Sequence, residues 1–184
     1  MTSWSESFPV HAPDPLEIAY LAGVIDSDGY IVVQRARKAN TGRAQPNVYY
    51  SIKVGIAGTR TPPHELAKAI FGGNIQRYQP KNPAHRAQFQ WQISGPVAAA
   101  ALFIPKPHLR VKCEQAEIAI DFQNMIERHV KIQRATQTPP YRVTPEMQVE
   151  RAALWEKMGP LNQSRRAGRL LDGRTHDEMP TRSA

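Results

Sequence analysis

Cysteine is almost missing from this sequence: Cys113 stands alone among 184 residues. One cysteine cannot build an intrachain disulfide framework or a cysteine-rich zinc site. Long apolar runs are missing too, since no stretch approaches the ~18 residues of a membrane span. Met1 to Asp14 lacks the basic and apolar pattern of a signal peptide. Acid is short relative to base, with 16 Asp and Glu against 24 Lys and Arg, and the net charge is +8. Such a surplus favours a polyanionic partner, nucleic acid before membrane. No internal repeat is present. Hydrophobic residues still make up 41% of the chain, enough for one domain with a core. The expectation is a soluble intracellular protein. Richness in Arg, Ala and Pro fits a GC-rich bacterial or phage host, with an organelle as the alternative compartment.

What the sequence does have is Leu21-Ala22-Gly23-Val24-Ile25-Asp26-Ser27-Asp28-Gly29. Asp14-Pro15-Leu16-Glu17 ahead of it reads as an N-cap, a first-turn proline and a capping-box glutamate. Tyr30-Ile31-Val32-Val33-Gln34 after it reads as a strand. The segment is thus a small-residue helix that ends in two aspartates and a glycine. Acid is disfavoured at a helix C-terminus, where the macrodipole is already negative. The pair calls for a countercharge, and a divalent cation is the simplest candidate. A calcium loop with Gly29 at its sixth position fails, because its twelfth is Arg35. Gly29 by itself fits an ordinary helix C-cap. Ala19, Ala22, Gly23 and Asp26 lie at helical spacing and would admit a second backbone closely.

The remaining order reads α-β-β-α-β-β-α followed by helices. The first helix covers about 15–27, and a strand follows to about Lys38. A polar loop spans 39–47. Tyr50, Ile52, Val54 and Ile56 share one face of the next strand, with Tyr49, Ser51, Lys53 and Gly55 on the other. Thr61-Pro62-Pro63 opens a short helix that buries Leu66, Ala69 and Ile70 and stops at Gly72-Gly73. Asn74 to Tyr78 is a third strand. In the fourth, Phe89, Trp91 and Ile93 oppose Gln88, Gln90 and Gln92. A short Ala-rich helix follows, then a long one from about Leu109 to His129. The last starts at Thr144-Pro145-Glu146 and stops at Gly159-Pro160.

Four strands with one apolar face need helices on that side, which leaves the polar side open. Gln34, Lys38, Tyr49, Ser51, Lys53, Gln76, Tyr78, Gln88, Gln90 and Gln92 would populate it, suited to base edges and phosphates. A strand of about ten residues spans roughly 33 Å, close to one DNA turn of about 34 Å. Arg35 and Arg37 fit less well, since they share parity with apolar Ile31 and Val33.

Residues 21–29 resemble the signature of the LAGLIDADG homing endonucleases, with Val24 and Ser27 as the departures. Pro107-His108-Leu109-Arg110-Val111-Lys112-Cys113-Glu114-Gln115 is similar to a second family segment, whose lysine matches Lys112. Leu154-Trp155 through Leu161 to Arg166 resembles the family's terminal helix and backbone-contacting loop. The resemblance implies an α+β fold with a four-stranded antiparallel, saddle-shaped sheet and helices on one face. It implies a site-specific double-strand DNA endonuclease with a long pseudo-palindromic target. As a single-motif chain it would act as a homodimer, paired through Ala19, Ala22, Gly23 and Asp26. Asp28 and the Ser27 carbonyl would hold Mg²⁺ (or Mn²⁺ or Ca²⁺), Lys112 would be catalytic, and Arg165 and Arg166 would contact DNA. On this reading residues 1–13 are a flexible arm, 14–166 the domain and 167–184 a basic tail. Gly58 departs from the family, which often has a polar residue there. A maturase acting on intron RNA, or a DNA-binding regulator that does not cleave, is the alternative.

Overall fold

The structure is a computed structural model that describes residues 13–38, 47–82, 84–137 and 142–171. The N-terminal arm through residue 12, the 39–46 loop and the tail beyond 171 lie outside the described residues. Helix α1 (Pro15–Asp28) starts as its sequence dictates: the Asp14 carboxylate accepts the Leu16 amide at 2.9 Å, with Pro15 in the first turn. Strand β1 (Gly29–Lys38) follows without a loop. It pairs antiparallel with β2 (Asn47–Gly58), Gly29 opposite Ile56 and Gln34 opposite Ser51. Helix α2 (Pro62–Phe71) leads to β3 (Asn74–Tyr78) and β4 (Gln88–Ser94). The sheet order is β1-β2-β4-β3, all antiparallel.

One face of this sheet is buried. Ile31, Val33, Ile52, Val54, Ile56, Trp91 and Ile93 join α1, α3 (Gly95–Phe103) and α4 (Cys113–Thr136) in a single core. Trp91 is fully enclosed, and its indole N–H donates to the Gly72 carbonyl at 2.8 Å, so burial leaves no orphan donor. The turn that supplies this carbonyl needs glycine: Gly73 has φ 90°, and a Cβ there would meet Ile93 at 2.4 Å.

The structure corrects three sequence expectations. Helix α2 buries His64, Ala67, Ile70 and Phe71, with Ala69 exposed and Leu66 only half-buried. The buried face is rotated because a histidine heads it. Helix α4 begins at Cys113, not Leu109, since a 3₁₀ turn at Lys106–His108 precedes it and the next amides are turned to another acceptor. It also runs seven residues past His129, with neither glycine nor proline to stop it. Helix α5 (Pro145–Leu171) passes through Pro160. A mid-helix proline removes one ladder bond but does not oblige the chain to stop. Met158 is buried just before it, and the Asn162 amide donates to the carbonyls of Met158 and Ile31. Packing thus carries the helix across the break.

Helix α5 also explains the parity of Arg35. The Arg35 guanidinium lies 5.2 Å from the Trp155 ring centroid, and Trp155 in turn packs on Tyr50. The far end of β1 thus has a helix beside its inner face, with Arg35 and Arg37 still exposed. Among the described residues no helix is long and apolar enough to cross a membrane.

Candidate cleavage site and nucleic-acid interface

Helix α1 and the entry to α4 exchange charged groups. The Asp26 carboxylate, 8% exposed, accepts the amides of Arg110 at 2.7 Å, Val111 at 3.2 Å and Lys112 at 2.9 Å. The Lys112 ammonium, from a residue 3% exposed, donates to the carbonyls of Ile25, of Asp26 at 3.0 Å and of Gly29 at 2.7 Å. Those oxygens form the negative end of α1, with no basic residue in the last turn of the helix itself. Lys112 therefore supplies from within the chain part of the countercharge that the sequence seemed to ask of a metal ion. A cation so placed, with its hydrogen bonds made, tolerates burial that an isolated charge would not.

This geometry revises the expected dimer face. Asp26 is turned into its own chain, and Ala22 is fully buried in the core. The side of α1 that remains exposed carries Leu16, Ala19, Tyr20, Gly23 and Ser27. Leu16 is 77% exposed and Tyr20 51%, large values for an isoleucine-sized residue and a tyrosine near a core helix. A Cβ added at Gly23 would meet nothing within 4 Å among the described residues.

Asp28 and Ser27 are exposed at the junction of α1 and β1. The Ser27 hydroxyl turns back to the Val24 carbonyl at 3.2 Å, and the Gly29 amide closes onto Ile25 and Val24. The Asp28 carboxylate thus stands at the surface on a helix end fixed from beneath. Carboxylate and carbonyl oxygens of this kind suit a hard divalent cation. A single chain brings one such aspartate to the spot. The Gly58 position, at the end of β2, lies 3.5 Å from His64 Cε1 measured from an added Cβ. His64 is buried, and among the described residues neither ring nitrogen has a hydrogen-bond partner.

The open sheet face holds the polar residues expected there. Gln34, Tyr49, Gln76, Tyr78 and Gln88 are exposed, and Ser51, Lys53, Gln90 and Gln92 are partly covered. Register sets Gln76 beside Gln90 and Tyr78 beside Gln88 across β3 and β4. Lys53, Asn74, Gln92 and Ser94 border a hollow of about 400 Å³. The side chains of Lys38, Arg165 and Arg166 lie outside the described residues. Sequence reasoning passed over Tyr30 as an actor on this face. Its hydroxyl accepts from Gln90 Nε2 at 2.8 Å and reaches Gln92 Oε1 at 3.4 Å. Its ring crosses Gly55, where an added Cβ would lie 2.5 Å from the ring. Burial raises the Tyr30 pKa, opposed by the Gln90 hydrogen bond, so the phenol keeps its proton. The signal was available in hindsight, as Gly55 interrupts an otherwise side-chain-bearing row on β2.

No protein-family model matches the chain, and no curated protein matches it. Solved structures do. The homing endonuclease I-CvuI in complex with its target aligns with a TM-score of 0.57 at 20% identity, over 80% of this chain and 82% of that one. The archaeal intron-encoded homing endonuclease I-Vdi141I, complexed with DNA, gives 0.59 at 12% identity, over 79% and 84%. The LAGLIDADG homing endonuclease I-SmaMI, bound to cleaved DNA, gives 0.51 at 15% identity, over 82% of this chain but 46% of that one. The chain has the LAGLIDADG homing endonuclease fold, and the segment that resembles the family signature runs from its first helix into its first strand.

Proposed function

We propose that the protein is a site-specific DNA endonuclease that works as a homodimer with a divalent cation. The observation that carries this reading is Asp28, a surface carboxylate where an uncovered helix face meets a polar sheet face. The solved structures with this fold are described as homing endonucleases, two of the three above with DNA as target or partner and the third with cleaved DNA. The chain spans four-fifths of I-CvuI but under half of I-SmaMI. That ratio supports a one-motif chain that pairs with a copy of itself.

In the dimer, Leu16, Ala19, Tyr20 and Gly23 pack against their symmetry mates. The two Asp28 carboxylates then meet near the twofold axis, where like charges need a cation between them. Asp28 and the Ser27 carbonyl would hold Mg²⁺, with Mn²⁺ or Ca²⁺ as substitutes. Such an ion supplies Lewis acidity toward a phosphodiester. Lys112 acts as a positioning residue, because it fixes the α1 carbonyls and with them the reach of Asp28. The open face, basic charge and the Arg165–Arg166 pair bind the duplex.

A second reading, nucleic-acid binding without cleavage on intron RNA or DNA, is favoured by one observation. Gly58 brings no side chain to the end of β2, and His64 beside it is sealed from solvent. Selection of cut products from a randomised duplex library with Mg²⁺ separates the two. Recovery of a cleaved pseudo-palindrome of about 20 base pairs is the expected outcome. Enrichment of bound but uncut duplexes would move the assignment to the second reading.

A further inference from the structure

We propose that Tyr30 is a specificity-determining positioning residue: its hydroxyl sets which end of the Gln90 and Gln92 amides faces the nucleic acid. The inference rests on the DNA-binding reading above and adds to it the origin of base preference near the start of β1. Three observations support it. First, the hydroxyl stands between the two amides, accepting from Gln90 Nε2 and donating to Gln92 Oε1. Second, the Tyr30 ring reaches them only by crossing a residue without a side chain, Gly55, which pairs with both Tyr30 and Gln92. Third, the phenol stays protonated, because burial opposes its ionisation.

The chemistry follows from counting protons. A phenol has one hydrogen to give. If it goes to Gln92 Oε1, the Gln92 Nε2 group is left to project donors. Gln90 spends one of its two amide hydrogens on the phenol oxygen, which leaves its Oε1 free as an acceptor beside the second hydrogen. A glutamine with both ends free reads adenine in either pose, whereas one whose carbonyl is turned to the phenol presents its amide hydrogens first. Gln92 is therefore matched to acceptor edges such as purine N7, guanine O6 or thymine O4. Gln90 is matched to an edge that offers a donor, such as cytosine N4 or adenine N6. The two choices are linked, since both run through one hydroxyl.

The test uses the full chain and binding selection from a library of randomised DNA duplexes, for wild type, Tyr30→Phe and Gln92→Glu. Tyr30→Phe keeps the ring and removes only the bridging hydroxyl. It should retain the wild-type melting temperature. Its preference at the base positions read by Gln90 and Gln92 should fall at least about fivefold, the order of one hydrogen bond's net contribution. The two positions should change together. Gln92→Glu replaces the projecting donors with an acceptor and should switch its position toward cytosine. Unchanged base preferences in Tyr30→Phe, or a Gln92→Glu protein that keeps the wild-type base, would overturn the proposal while leaving DNA binding intact. Failure of the wild type to enrich any duplex would overturn both this proposal and the reading beneath it.

Discussion

Asp28 and Asp26 lie two residues apart in opposite surroundings, one exposed and one buried. Asp28 is exposed, so Asp28→Asn changes no core contact; the amide keeps the shape but cannot neutralise a cation. Cleavage should be abolished in that variant, with DNA affinity held within about threefold; a variant that cuts at the wild-type rate would remove Asp28 from the chemistry. Lys112 belongs to the other aspartate's arrangement. Lys112→Met takes away the ammonium that the Ile25, Asp26 and Gly29 carbonyls share. Stability should drop by about 2–4 kcal/mol, the range for breaking a buried charged network. An unchanged urea midpoint would show that the ammonium does not cap α1. The place of Asp28 at the end of α1 was legible in the sequence, because acid at a helix end is anomalous on its face. The sequence could not reveal that Asp26 is answered by amides more than eighty residues downstream. Local spacing places Asp26 with Ala22 and Gly23, yet burial alone decides which of these face a partner.

Among the elements, the strands were read nearly residue by residue, since period-two alternation survives burial of one face. The helices were read less well at their ends. A 3₁₀ turn delays α4 and a packed proline fails to stop α5, and both outcomes depend on tertiary contacts. Gly23 on α1 yields a prediction with opposite signs in two states. Space is open around it in the single chain, so Gly23→Leu should leave the protomer as stable or raise its stability by up to ~1 kcal/mol through helix propensity. Two close-packed helices cannot admit the same side chain, so the dimer should dissociate by light scattering. A dimeric Gly23→Leu protein would place the interface elsewhere. At the α4–α5 contact, Glu150 bonds to both His129 and Arg128. The His129 hydrogen bond, with Arg128, holds the Glu150 carboxyl below its usual range. A lowered folded pKa gives stability that is present above the ordinary carboxylate pKa and lost as the pH falls through the folded value. Glu150→Gln should thus melt below wild type at pH 7, and the gap should close in strong acid. A gap that persists there would point to packing instead of charge.

For the whole molecule, charge and symmetry make joint demands. A dimer doubles a net charge of +8, and a protein that neutralises 6–10 phosphates loses ~10³–10⁵ in affinity between 50 and 200 mM salt. Binding measured against ionic strength should show that steepness, and a flat response would argue against a duplex partner. The exchange between Asp26 and the amides just ahead of α4, and between Lys112 and the carbonyls at the end of α1, has a consequence for the history of such chains. On the endonuclease reading, two requirements are written into one short signature, one for folding and one for cutting. If selection for cutting lapsed in a descendant, Asp26 and Lys112 would still be held by the need to fold. Asp28 alone would be released to drift. A lineage on its way to a binding protein would then be marked by a signature intact but for its last aspartate, and the signature as a whole would be a poor witness to activity.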